Sequence, residues 1–164
     1  MEPLKNLFSP ELVGWVARHL ARRVPRLDAE IFAAPILAAL PALELKERAQ
    51  LIANHMVRAL PADAPTRHGM LVAMLHPDPL DHADKSSDAN GLAGWAVMPL
   101  TLAVGRHGLE DFDGALAALK EMTKRFTAEF AIRHMLLSDQ RRALDAMASW
   151  VSDPNRHVRR LVSE

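Results

Sequence analysis

The sequence predicts an all-α fold, an α-solenoid of stacked antiparallel helix pairs, on three observations. Apolar residues recur at helical spacing along nearly the whole chain, Ala, Leu, Arg and Met dominate, and β-type alternation is absent. Proline, glycine and Ser/Asp/Thr signals divide the chain into segments of helix length. A weak internal repeat runs through the last third: ALAALKEM at 115–122 aligns with ALDAMASW at 143–150, and Phe130 falls opposite Val158, an offset of 28 residues. Each unit is two helices, and such units form a core only by stacking. The offset is shorter than the HEAT period of about 40–47 residues, so the repeat alone leaves the solenoid type open.

The elements follow in order. Ser9-Pro10-Glu11 reads as a helix start, with Ser9 as N-cap and Pro10 in the first turn; the helix runs to about Arg22 and turns Leu12, Val16 and Leu20 inward. Asp28 caps DAEIFAAPILAAL, where Pro35 is expected to kink or split the helix. A third helix spans about 43–60 with Leu45, Ala49, Ile52 and Met56 inward, and a fourth about 65–75. Residues 76–91, HPDPLDHADKSSDANG, read as a polar loop. GLAGWAVMPLTLAVGRHG forms a helix containing Pro99 and closing at a Gly105/Gly108 stop. Asp113 caps a helix over 114–126 with Phe112 as a hydrophobic staple, and Thr127 caps a short helix to about Leu137. Ser138 or Asp139 opens a helix to Val151, and Asp153-Pro154 opens the last one.

With 164 residues the chain is read as one domain, 1–164, long enough to bury a core. A composition of 49% hydrophobic and 24% charged residues is that of a soluble globular protein. The absence of Cys excludes disulfides and thiolate metal sites. MEPLKNLFSPEL carries no apolar run of signal-peptide length and no stretch approaches a membrane span, so a cytoplasmic protein is expected. Net charge is zero but unevenly spread: residues 120–164 carry nine Lys/Arg against six Asp/Glu, and the rest eleven against fourteen. A neutral total is therefore compatible with a polyanionic partner.

Few residues can carry chemistry. On the short helix TAEFAIRHML, Glu129 and Arg133 form an i,i+4 pair, with Phe126 and Phe130 close by. Placed in a cleft, such a carboxylate stabilises a developing cation or orients a water; in solvent it is an ion pair worth at most about 1 kcal/mol. Arg156, Arg159 and Arg160 share one stripe of the last helix, with Val158 and Leu161 toward the core, and guanidinium groups at that spacing can bind successive phosphates. The alternative is a solvated face. Lys124/Arg125 and Arg141/Arg142 add positive charge nearby, whereas Arg18, Arg22, Arg23 and Arg26 read as an ordinary surface cluster. His76, Asp78, Asp81, His82, Asp84 and Asp88 match neither an HExxH helix nor an EF-hand loop, so no metal site is expected. Trp15, Trp95 and Trp150 read as core residues, Trp95 being the one expected to be partly exposed.

The run LEDFDGALAALKEMTKRFTAEFAIR at 109–133 and DPNRHVRRLVSE at 153–164 resemble the AlkC branch of the AlkC/AlkD DNA alkylation repair family. EPLKNLFSPELV, ELKERAQLIANHM and GLAGWAVMPL are similar to it as well, in collinear order, while loop 76–91 matches poorly. The resemblance implies a HEAT-like solenoid with a concave basic surface that hydrolyses the N-glycosidic bond of cationic, 3-methyladenine-type bases in double-stranded DNA. It implies no metal or organic cofactor, no obligate protein partner and a nucleoid-associated bacterial setting. Glu129 matches the carboxylate of the family's RFTxEFAIR motif, and Glu164 the Glu of SEGTRPRLPW, of which Ser163 and Glu164 are present. Arg159 and Arg160 match the HVRR arginines. With Lys124, Arg125, Arg133 and Arg156 they form the expected DNA-binding set. His134 stands where the family usually has Pro. Family members continue through further helix pairs, so the chain reads as a fragment or a truncated homologue. A non-catalytic helix-turn-helix module at 138–164 and a HEAT-type interaction scaffold are the other readings.

Overall fold

Most of the helices begin where a side chain satisfies their first free amides. The structure, a computed structural model, describes residues 1–77 and 86–164. In α1 (Pro10–Ala21) the Leu12 N–H donates to Ser9 Oγ at 3.2 Å. In α2 (Ala29–Ala39) the Glu30 and Ile31 amides donate to Asp28 Oδ1 at 2.9 and 3.0 Å. α3 (Leu45–Ala59) starts with a Glu44/Glu47 capping box, and α4 (Ala64–Ala73) is capped by Asp63. α5 (Val97–His107) follows a 3₁₀ turn at Gly94–Ala96. Pro99 sits in its first turn, where a missing N–H costs no intrahelical bond. α6 (Phe112–Thr123), α7 (Glu129–Ser138), α8 (Gln140–Ala148) and α9 (Arg156–Ser163) complete the described chain.

Four local expectations change. Pro35 does not split α2: it is exposed, and so is Ile31, whose carbonyl loses its helical donor there and can turn to water. Gly105 is no stop but lies inside α5, where a Cβ would stand 2.8 Å from Ala131 O and 3.1 Å from Ala131 Cα. The backbones of α5 and α7 meet there, and only hydrogen fits between them. Gly108 alone ends the helix, packed so closely that a Cβ would meet His68 Nε2 at 2.2 Å. Asp113 caps nothing; α6 starts one residue before it, and its carboxylate takes a bidentate pair from Arg142 of α8 at 3.2 and 2.8 Å. The last helix is opened by Asn155, whose Oδ1 accepts from His157 and Val158, while Asp153 accepts the Asn155 amide one step earlier.

α5 organises the packing. Every residue from Val97 to Gly105 is buried, as for a helix apolar all round. α3 and α7 flank it, α4 and α6 lie behind, α1 pairs with α2, and α9 returns onto α6 and the 3₁₀ extension of α8 at Ser149–Ser152. The result is an all-α, HEAT-like solenoid of stacked helix pairs, and the buried apolar residues join into one cluster. The 28-residue repeat corresponds to α6–α7 and α8–α9. Its register holds inside: Ala115 and Ala143, Leu119 and Met147, and Met122 and Trp150 are buried at equivalent positions. Trp15 and Trp95 are half-buried.

Only the ends of loop 76–91 belong to the described residues, and they are held firmly. His76 N–H donates to Leu92 O at 2.9 Å and Leu92 N–H to Met74 O at 2.8 Å. The end of α1 grips the same segment. His19 Nε2–H donates to Asp88 O at 2.7 Å, Arg22 to Ala89 O at 2.7 Å, and Arg23 to Ala73 O. The N-terminal arginines are thus largely struts, and Arg18 stacks on Trp15 at 4.1 Å. Of the six His and Asp residues in the loop, His76 and Asp88 pair at 3.3 Å; Asp78, Asp81, His82 and Asp84 lie outside the described residues. Among the described residues no helix is long and apolar enough to cross a membrane.

Two predictions follow from this packing. Gly105→Val should wedge α5 from α7 and lower stability by about 1–3 kcal/mol, read from urea denaturation; an unchanged midpoint would contradict the close contact. Burial holds both His19 and His68 below their ordinary pKa of 6.5, in His68 against the opposing pull of Asp111. Since the folded-state values lie below the unfolded one, their contribution is complete above about pH 6.5 and is lost as the pH falls below it. The urea midpoint should therefore drop between about pH 7.5 and pH 5.

Candidate active site at the start of α7

The turn from α6 into α7 builds the site. Thr123 Oγ1 accepts the Ala128 amide at 3.4 Å, fixing the turn from inside, and Ala128 O receives the Ala131 and Ile132 amides at 3.0 and 2.9 Å. Thr127 Oγ1 accepts the Glu129 amide at 3.2 Å. Glu129 is therefore the first residue of α7, where the helix dipole favours its negative charge. Its side chain is 31% exposed, with Oε1 bound to Arg133 Nη2 at 2.5 Å; Oε2 accepts no hydrogen bond among the described residues.

Glu164 reaches the same turn from the next helix pair. Its Oε1 is 3.0 Å from Arg160 Nε and its Oε2 receives the Thr127 hydroxyl at 3.4 Å. Thr127 thus touches both acids singled out in the sequence, Glu129 by its backbone amide and Glu164 by its carboxylate, and each carboxylate has its own arginine four positions away. Aromatic rings form the wall. Phe126 lies 4.9 Å from Trp95, which meets Phe8 edge-on at 6.1 Å. Phe130 carries Lys46 Nζ 4.8 Å above its ring, with Arg133 at 5.7 Å.

The expected cationic set separates into different roles. Arg133, Arg156, Arg159 and Arg160 are exposed. Arg159 Nη1 also donates to Asp153 O and Pro154 O at 2.6 and 3.0 Å, stapling the entry to α9. Lys124 is partly buried and paired with Glu121 at 2.6 Å. Arg125 corrects the sequence reading. Its side chain is only 8% exposed, and it donates to His76 O at 2.8 Å and to Glu121 O and Oε2 at 2.9 and 3.3 Å. It is an internal strut between α6 and the segment after α4, because the turn at 124–128 directs it inward.

Lys46, Trp95 and Thr127 were missed as site residues. Lys46 belongs to α3 and Trp95 to the turn before α5, far from Glu129 in sequence, so no periodicity could have joined them. Thr127 had a local signal as the expected cap; the N-cap of α7 is instead Ala128, Thr127 Oγ1 takes the Glu129 amide from one residue earlier, and its second contact comes from α9's end. The helix-turn-helix reading of 138–164 fits poorly, because Trp150 beside the turn is buried in the stacked core. His134 continues α7 without a break, and burial, then Arg106, lowers its pKa.

Comparison with known proteins places these features in context. No protein-family model matches the chain. The structure superposes on the Pseudomonas fluorescens alkylpurine DNA glycosylase AlkC, solved bound to DNA containing an abasic site analogue, with a TM-score of 0.82 and 32% identity. The match covers 100% of this chain and 42% of that one. YhaZ of Bacillus subtilis (strain 168), an uncharacterised protein, is 28% identical over 165 residues, again 100% of this chain and 42% of its own length. The chain thus spans about two fifths of the length of each relative.

The two kinds of arginine should part on mutation. Arg125→Ala removes charged hydrogen bonds from a buried position and should cost about 2–3 kcal/mol in urea denaturation. Arg133→Ala, at 61% exposure, should stay within about 1 kcal/mol.

Proposed function

We propose that this chain, a relative of AlkC in both fold and sequence over its whole length, is the catalytic part of a DNA repair glycosylase. It hydrolyses the N-glycosidic bond of alkylated, cationic bases of the 3-methyladenine type in double-stranded DNA. The observation that carries the reading is that the Thr127 hydroxyl, whose oxygen takes the backbone amide of Glu129, also contacts the Glu164 carboxylate from the next helix pair, beside exposed arginines.

The chemistry suits that arrangement. Alkylation leaves positive charge on the base, so the base departs readily and a strong general acid is not required. What remains is the positive charge that develops on the sugar as the bond breaks. A fixed carboxylate near it lowers the barrier electrostatically and can hold the attacking water, the logic carboxylates follow in glycoside hydrolysis. Glu129 supplies this group: Arg133 orients it by one oxygen, and the other is left to face sugar or water. The step asks for no metal or organic cofactor because the leaving group is already activated.

Arg133, Arg156, Arg159, Arg160 and, at longer reach, Lys124 are the proposed phosphate contacts. Lys46 joins them from α3, its ammonium poised over Phe130 next to Glu129. Such a protein would work in the bacterial cytoplasm, associated with the nucleoid.

Glu129→Gln and Glu129→Ala should lower release of 3-methyladenine from alkylated duplex DNA at least about a hundredfold, with binding to the duplex nearly intact. Undiminished release by either variant would overturn the assignment. Lys46→Ala should weaken binding and reduce the slope of log K against log salt by about 1.

A further inference from the structure

We propose that Thr127 is a positioning residue that couples the two carboxylates, so that Glu129 and Glu164 act as an unequal pair and not as two independent acids. The inference rests on the glycosylase reading for its consequence and on hydrogen-bond geometry for its substance.

A threonine hydroxyl has one proton and two lone pairs. Thr127 Oγ1 accepts the backbone N–H of Glu129 at 3.2 Å, which fixes the oxygen relative to the residue that bears the first carboxylate. The same oxygen lies 3.4 Å from Glu164 Oε2. An ionised carboxylate only accepts, so the single Thr127 proton points to Glu164. At this separation the contact is looser than a well-formed O–H···O bond of about 2.5–3.0 Å, and catalytic contacts that are long without substrate commonly tighten when substrate fills a site.

The consequence is a division of labour. Glu164 is held on both sides, Oε1 by its ion pair with Arg160 and Oε2 by the Thr127 hydroxyl. Among the described residues, Glu129 is held on Oε1 alone. The oxygen available to the sugar or to water is thus Oε2 of Glu129, and Glu164 is the fixed negative neighbour that deepens the field around it. Capping alone explains the Glu129 amide contact but not why the proton of the cap is aimed at a carboxylate from another helix pair.

Three substitutions separate capping from coupling. Thr127→Ser keeps both functions. Thr127→Val removes both. Thr127→Asp keeps a capping acceptor for the Glu129 amide but has no proton to give Glu164. In base-release assays on alkylated duplex DNA, Thr127→Ser should match the parent. Thr127→Val and Thr127→Asp should each lose about tenfold in kcat with KM little changed, the loss of one charge-assisted hydrogen bond. Turnover by Thr127→Asp equal to the parent's would overturn the proposal while leaving the glycosylase reading intact. A parent protein that releases no base sinks the glycosylase reading instead. The coupling is then still tested by the ¹³C resonance of the Glu164 side-chain carboxyl, which should move in Thr127→Val and Thr127→Asp and return in Thr127→Ser; an unmoved resonance overturns it.

Discussion

Burial of α5 is the constraint on which the rest of this structure depends. A helix with nine consecutive buried residues, Val97 to Gly105, has no face to offer water, so other helices must enclose it. Its one buried hydroxyl, on Thr101, donates to Met98 O at 2.7 Å. On the α7 side, enclosure is so tight that the backbones touch at Gly105 and Ala131. That contact lies two residues beyond Glu129 along α7, so the height of the candidate carboxylate is set by the packing of the core and not by a flexible surface loop.

The turn before α7 turns this rigidity into chemistry. One hydroxyl, Thr123, secures it from inside and another, Thr127, faces outward to the end of α9. The solenoid matters here because the two carboxylates arise in adjacent helix pairs, and stacking brings the pairs together. The cations divide by the same geometry. Those whose side chains leave the turn inward, such as Arg125, knit segments together through backbone carbonyls. Those on the outward faces of α7 and α9 stay exposed or orient an acid.

Much of the fold was legible because its signals are local. Ser9, Asp28 and Asp139 cap helices as the residue types suggest, and α-helical periodicity carries Ile52, Met56, Val158 and Leu161 inward. The misread positions were those where a distant partner outbids a local preference. Asp113 had the look of a cap and is instead claimed by Arg142, and Gly105 had the look of a stop and is instead a point of helix contact. Pro35 breaks no helix because the carbonyl it orphans is on an exposed face.

By itself the sequence determined which residues form helices and where most of them begin, and it offered Glu129, Glu164 and a set of later arginines as candidates for chemistry, since capping, periodicity and motif are written in neighbouring residues. Tertiary structure alone decided that Glu164 reaches Thr127 beside the start of α7, that Lys46 reaches Phe130 from α3, and that Arg125 is a strut while Arg133 is exposed. Those outcomes depend on which elements stack against which, and on side-chain directions fixed by the covered faces of α5, information that no local window of residues contains.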